Sequence, residues 1–250
     1  MARVSCACTG IRCCRVCQPA AAGAGKNWPR ALTDWPHGST PPGVRVVSDF
    51  LSPAEETWLI RAIDGDGTDW VPSVSGRRKQ DYGPTANFKK QKLKWNTFYG
   101  LPHWLISKFG EAAPTRPLLA RVQDHSPEFE CIECLCLEYT QEMGSHIDPH
   151  KDDSWLWGER LISLSLAGEC TMSFIADVDI TASQPANVKH AADGTAAGTS
   201  TSVSPSAPPP PTTAGEETST PPAQFRCRVA VPRRSLLIVE GEARHRWRRH

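Results

Sequence analysis

Apolar residues alternate with polar ones in two stretches of the chain. Ile162, Leu164 and Leu166 alternate with Ser163 and Ser165. Phe225, Cys227, Val229 and Val231 alternate with Arg226, Arg228 and Ala230. Residues two apart on a strand share a face, so both stretches predict half-buried strands. Ser235 to Glu240 is apolar at its centre without interruption and predicts a strand buried on both faces. Val44–Val47, Cys131–Tyr139 and Thr171–Ile175 add further strands. One stretch reads as a helix. Ser52 is an N-cap, Pro53 the first helical residue and Glu55 the reciprocal partner of the cap. Trp58, Leu59, Ala62 and Ile63 form its inward stripe, and it should stop near Asp64-Gly65. The fold class expected is mainly β, largely antiparallel, with flanking helices.

Two stretches have no such pattern. Residues 20–42 are rich in Ala, Gly and Pro and read as a linker. Residues 182–223 are Ser, Thr, Ala, Pro and Gly, with Pro208 to Pro211 in a row. That composition buries too little apolar surface to offset chain entropy. It is expected to be a disordered insertion between two strands rather than a domain boundary.

Composition narrows the function only a little. Of 250 residues 39% are hydrophobic and the net charge is +1, so bulk charge selects neither nucleic acid nor a membrane. No apolar run reaches membrane-spanning length, and the N-terminus lacks the apolar core of a secretion signal. Ten cysteines then suggest a reducing compartment and metal binding rather than disulfides. Cys6, Cys8, Cys14 and Cys17 form C-x-C-x5-C-x2-C, a spacing that can wrap one tetrahedral Zn(II); a reduced tail is the alternative. Cys131, Cys134 and Cys136 read as core residues. Residues 77–94 carry Arg77, Arg78, Lys79, Lys89, Lys90, Lys92 and Lys94, with Tyr82 and Phe88 between them. Such a mixture suits single-stranded nucleic acid or an acidic protein surface equally.

The chemistry lies in Gly144-Ser145-His146-Ile147-Asp148-Pro149-His150-Lys151-Asp152-Asp153. Asp148 before a proline is extended. On an extended chain His150 and Asp152 project to one face. An imidazole beside a carboxylate is the local half of a 2-His-1-carboxylate Fe(II) site. Asp153 and Lys151 then point the other way. His146 competes as a ligand, but Pro149 interrupts the ladder beyond Asp148.

This segment, with Trp155-Leu156-Trp157-Gly158-Glu159-Arg160 and the strand after it, resembles the metal-binding core of the AlkB-type Fe(II)/2-oxoglutarate-dependent dioxygenases. The likeness is greatest to the fourth animal homologue group of that family. Ser75 to Pro84 and the N-terminal cysteine cluster resemble the same group. The resemblance implies a double-stranded β-helix, or jelly roll, over residues 43–250, preceded by a cysteine-rich segment (1–19) and the linker. It implies Fe(II) and 2-oxoglutarate as cofactors, with Tyr139 binding the co-substrate where Cys136 replaces the usual Asn. It implies that the stretch opened by Arg77, Arg78, Lys79 and Tyr82 faces a substrate. It implies oxidative removal of N-methyl groups as formaldehyde. The expected partner is a methylated protein of the actin type, in actomyosin regulation, or methylated DNA carrying N6-methyladenine, in cytoplasm and nucleus.

The third ligand should be a second His. His250 is the first choice and His245 the second. In the family the ligand follows the tryptophan by two residues, where this chain has Arg249 after Trp247. The family's co-substrate arginine lies on a later strand. The expectation is therefore a jelly roll incomplete at its C-terminus, a shortened form with weak or no turnover. Its alternative role is a metal-stabilised interaction module.

Overall fold

The computed structural model describes residues 32–35, 40–107, 116–176 and 224–250. Two antiparallel-dominated sheets face one another. The first has the order β2-β11-β8, from Val44–Val47, Leu236–Val239 and Leu161–Leu164. The second has the order β1-β10-β9-β12, from Leu32–Asp34, Gln224–Val231, Cys170–Ala176 and Trp247–Arg249. Among the described strands only β1 pairs in parallel. A third sheet has the order β3-β4-β7, from Val71–Pro72, Arg78–Tyr82 and Cys134–Glu138. Thr85–Asn87 (β5) and Lys92–Lys94 (β6) form a separate hairpin.

Strand β11 shows why its sequence is unbroken apolar. Leu237 and Val239 join a core with Phe174, Val229, Val231 and Trp247, between the two sheets. Leu236 and Ile238 join a second core with Leu51, Leu59, Ile63, Trp104 and Leu118, beneath the helices. A strand with a core on each side has no polar face to mark an alternation. Its neighbour β8 and strand β10 each keep the alternation expected of them. Ile162, Leu164 and Leu166 pack on the helical side. Cys227, Val229 and Val231 are buried, while Arg228 and Ala230 are exposed.

Helix α1 runs Pro53–Gly65 with the full capping box: Ser52 accepts from the Glu55 amide and Glu55 accepts from the Ser52 amide. Helices α2 (His103–Ile106), α3 (Leu118–His125) and α4 (Gly241–Arg246) were not apparent in the sequence. Two of them span barely more than a turn, too short to display a period. Leu32–Asp34, inside the stretch that reads as a linker, adds β1 to the sheet edge. Trp35 behind it packs edge-on to Phe225 and Trp247 at 5.6 and 5.2 Å. Cys6, Cys8, Cys14, Cys17 and residues 182–223 lie outside the described residues.

Candidate metal centre

The expected metal strand is not a regular strand. His150 makes a single antiparallel bridge, to Arg249. The His150 amide donates to the Arg249 carbonyl (3.1 Å) and the Arg249 amide to the His150 carbonyl (2.9 Å). The segment is also tied on its other side. Ser145 Oγ donates to Gly76 O (2.6 Å) and the His146 amide to Ser75 O (3.3 Å). Ser75 is buried with φ of 57°, a left-handed conformation that a non-glycine residue holds at a cost of about 1 kcal/mol or more. The turn over Val74–Gly76 therefore props the segment that carries the histidines.

His150 and Asp152 come together as the sequence suggests. His150 Nε2 lies 3.5 Å from Asp152 Oδ1, and both side chains are largely buried. His150 Nδ1 lies 2.7 Å from Asp148 O, which fixes the ring and leaves Nε2 directed at the carboxylate. His146 makes a looser pair with Asp148, at 3.8 Å.

Neither C-terminal histidine joins them. His245 Nε2 meets Glu159 Oε2 at 2.7 Å on the surface, and this pairing holds the Glu159 carboxyl below its ordinary 4.5. His250 exchanges backbone hydrogen bonds of 3.0 and 2.9 Å with Ser173, one residue beyond Arg249. Successive residues of an extended chain point to opposite faces. It is Arg249 that faces His150, and its Nη2 ion-pairs with Asp152 Oδ2. Among the described residues no three His, Cys, Asp or Glu side chains are grouped to hold a metal ion.

The Arg249 side chain is largely buried, 15% exposed, and desolvation pulls its guanidinium down to about 10, still protonated at neutral pH. Its Nη1 is buried with no hydrogen-bond partner among the described residues. Arg244 is more deeply placed and its role was hidden in a basic run. Its guanidinium donates to Asp152 O (2.8 Å), Trp157 O (3.0 Å) and Gly158 O (3.2 Å). One side chain on α4 thus fixes the segment that follows Asp152.

The expected substrate-facing residues divide. Tyr139 is half exposed, and its hydroxyl accepts from Arg77 Nη1 at 3.2 Å. Arg77 is itself buried and lies over the Tyr139 ring. Arg78 makes a two-point pair with Glu138 (2.5 and 2.6 Å), and Lys79 pairs with Asp81 (2.5 Å). Tyr82 is a core residue, edge-on to Trp104, and its hydroxyl donates to Asp66 at 2.6 Å. Burial, then that hydrogen bond, pushes the Tyr82 phenol well up. Cys131, Cys134 and Cys136 pack against the helical core as the sequence suggests. A hydrogen bond with Cys136, with burial behind it, pushes the Cys134 thiol up. Phe88 meets Trp155 edge-on at 6.0 Å and Trp157 at 6.2 Å, while Trp157 Nε1 donates to Glu133 (2.8 Å).

His150 and Asp152 have the donors that Fe(II) takes, an imidazole nitrogen and a carboxylate. Among the described residues the third protein donor is not supplied: a guanidinium carries no lone pair for a metal. The described residues therefore fit two thirds of a facial triad and not the whole.

No protein-family model matches the chain. Individual proteins do. The chain is 35% identical to the mouse alpha-ketoglutarate-dependent dioxygenase alkB homolog 4, over 97% of its own length and 79% of the mouse protein. It is equally identical to the human protein of that name, over the same shares. A Caenorhabditis elegans DNA N6-methyl adenine demethylase is 30% identical over 82% of this chain and 53% of the relative. A β-rich fold with a His-x-Asp pair is thus joined to relatives that are 2-oxoglutarate-dependent dioxygenases. The chain belongs to the AlkB-type branch of those enzymes, close to alkB homolog 4.

Proposed function

We propose that the chain is an Fe(II)/2-oxoglutarate-dependent oxidative demethylase acting on N-methyl-lysine in protein, of the actin type, with His150 and Asp152 as metal ligands. The observation that carries this is the His150–Asp152 pair at 3.5 Å, with the ring held by the Asp148 carbonyl and the Asp152 backbone carbonyl held by Arg244. The two facing sheets about a shared core are the arrangement a jelly roll would have, and we take residues 43–250 as that domain. Tyr139 is the proposed contact for 2-oxoglutarate.

Two features favour protein over DNA. Three of the seven cations in residues 77–94 are already paired: Arg78 to Glu138, Lys79 to Asp81 and Arg77 to Tyr139. Phosphate binding needs cations with free donors. In addition Phe88, Trp155 and Trp157 gather beside the Glu133 carboxylate. Aromatic faces with a nearby anion suit a methylated ammonium.

The relative from Caenorhabditis elegans supports the rival reading, removal of methyl from N6-methyladenine in DNA. A direct competition separates the two. The chain is supplied with excess Fe(II), 2-oxoglutarate, and either a methyl-lysine peptide or an N6-methyladenine oligonucleotide. Formaldehyde from the peptide supports the proposal. Formaldehyde from the oligonucleotide alone assigns the DNA reading, and none from either leaves an interaction module.

A further inference from the structure

We infer that Arg249 is a built-in occupant of the third ligand position, so that a divalent metal binds His150 and Asp152 only by displacing its guanidinium. The inference rests on the reading of those two residues as metal ligands. The placement is set by backbone pairing, not by a mobile side chain. Two hydrogen bonds, 3.1 and 2.9 Å, hold Arg249 directly opposite His150. On its other edge β12 pairs with β9, Arg249 opposite Phe174. Trp247, two residues back, is fully buried between the sheets. The Arg249 backbone therefore cannot leave this face without unpairing β12 on both edges, and only its side chain is free to swing away from Asp152.

The chemistry of the contact runs against a metal. Asp152 offers Oδ1 toward His150 and Oδ2 to Arg249. An incoming dication must compete for a carboxylate already neutralised by a cation, and it must sit beside that cation. Both effects lower affinity, and the second grows where water is excluded. The pair is nonetheless displaceable. Arg249 Nη1 is buried with no hydrogen-bond partner among the described residues, so the guanidinium is only partly satisfied where it lies.

The test is a Mn(II) titration of the full chain with 2-oxoglutarate present, followed by the loss of the free Mn(II) EPR signal. Oxygen and nitrogen donors take Mn(II) while thiolates prefer softer ions, so the N-terminal cysteines do not intrude. Arg249→Gln should tighten binding at least about tenfold, the scale of changes next to a metal ligand. Arg249→His, which adds a donor, should tighten it further. Arg249→Lys keeps a positive charge and should stay close to the parent. Circular dichroism checks that each variant folds, and the Gln and Lys pair carries the test if the His variant does not. Equal affinity in all four, lost in His150→Ala, overturns the inference while the ligand reading stands. No Mn(II) bound by any of them overturns both.

Discussion

At the scale of residues, what was local in sequence was legible and what depended on pairing was not. His150 and Asp152 are two apart, a spacing short enough for them to meet without a regular strand, and they do so at 3.5 Å. Arg244 and Arg249 sit in a run of basic residues that reads as a solvated end. Their roles appear only when α4 and β12 are laid against residues 150–158, some ninety positions earlier in the chain. Arg244→Ala should expose the consequence. It removes three charge-assisted bonds to carbonyls from a fully buried site. The expected loss is about 3 kcal/mol in urea denaturation. Metal affinity should fall as well, because Asp152 loses its anchor. Among the described residues the register sets Arg249, rather than His245 or His250, opposite His150, a pairing that no residue type in the basic run announces.

At the scale of elements, alternation carried the strands. Strands β8, β10 and β2 stand where period two or a short apolar run places them, and α1 stands where its capping box begins. The box is an independent contribution to stability. Ser52→Ala should cost about 1 kcal/mol, read as a lower melting temperature with no change in metal binding. The expected strand at the site became a single bridge, because Pro149 removes an amide from any ladder. Gly43 is the tightest junction between elements. Its φ is +92°, and a Cβ there would meet the Glu240 carbonyl oxygen at 2.0 Å. The Glu240 amide in turn donates to Gly43 O at 2.9 Å, tying β2 to the start of α4. Gly43→Ala should therefore destabilise by about 2 kcal/mol or more, through backbone strain and the shift of α4. Because α4 carries Arg244, the same change should weaken metal binding, unlike Ser52→Ala.

At the scale of the molecule, a β-rich fold was legible, while the way its sheets stack was not. The register explains how the chain tolerates residues 177–223. Arg226 pairs with Ile175, so β9 ends and β10 begins side by side at one edge. A short turn could join them, and replacing residues 182–223 by a few glycines and serines should leave the melting temperature within a few degrees. Acid stability also belongs to the whole fold. A hydrogen bond from Arg78 holds Glu138 below its ordinary 4.5. Burial alone would raise Asp66, but hydrogen bonds from Tyr82 and Thr68 outweigh it and hold it below 3.8. Carboxyls lowered on folding add stability that is complete above their unfolded values and lost as pH falls through the folded ones. Melting temperature should thus be level from pH 7 to about 5 and decline below about 4. Tyr82→Phe should lessen the decline.

The central claim is that His150 and Asp152 hold iron for 2-oxoglutarate chemistry. The most direct measurement is an anaerobic titration of the full chain with Fe(II) and 2-oxoglutarate, watching for the visible charge-transfer band of the chelated complex. The account predicts a band that needs excess Fe(II) in the parent chain and disappears in His150→Ala and in Asp152→Ala. A band of equal strength in both variants, or none at any Fe(II) concentration in the parent and in Arg249→His alike, would contradict it.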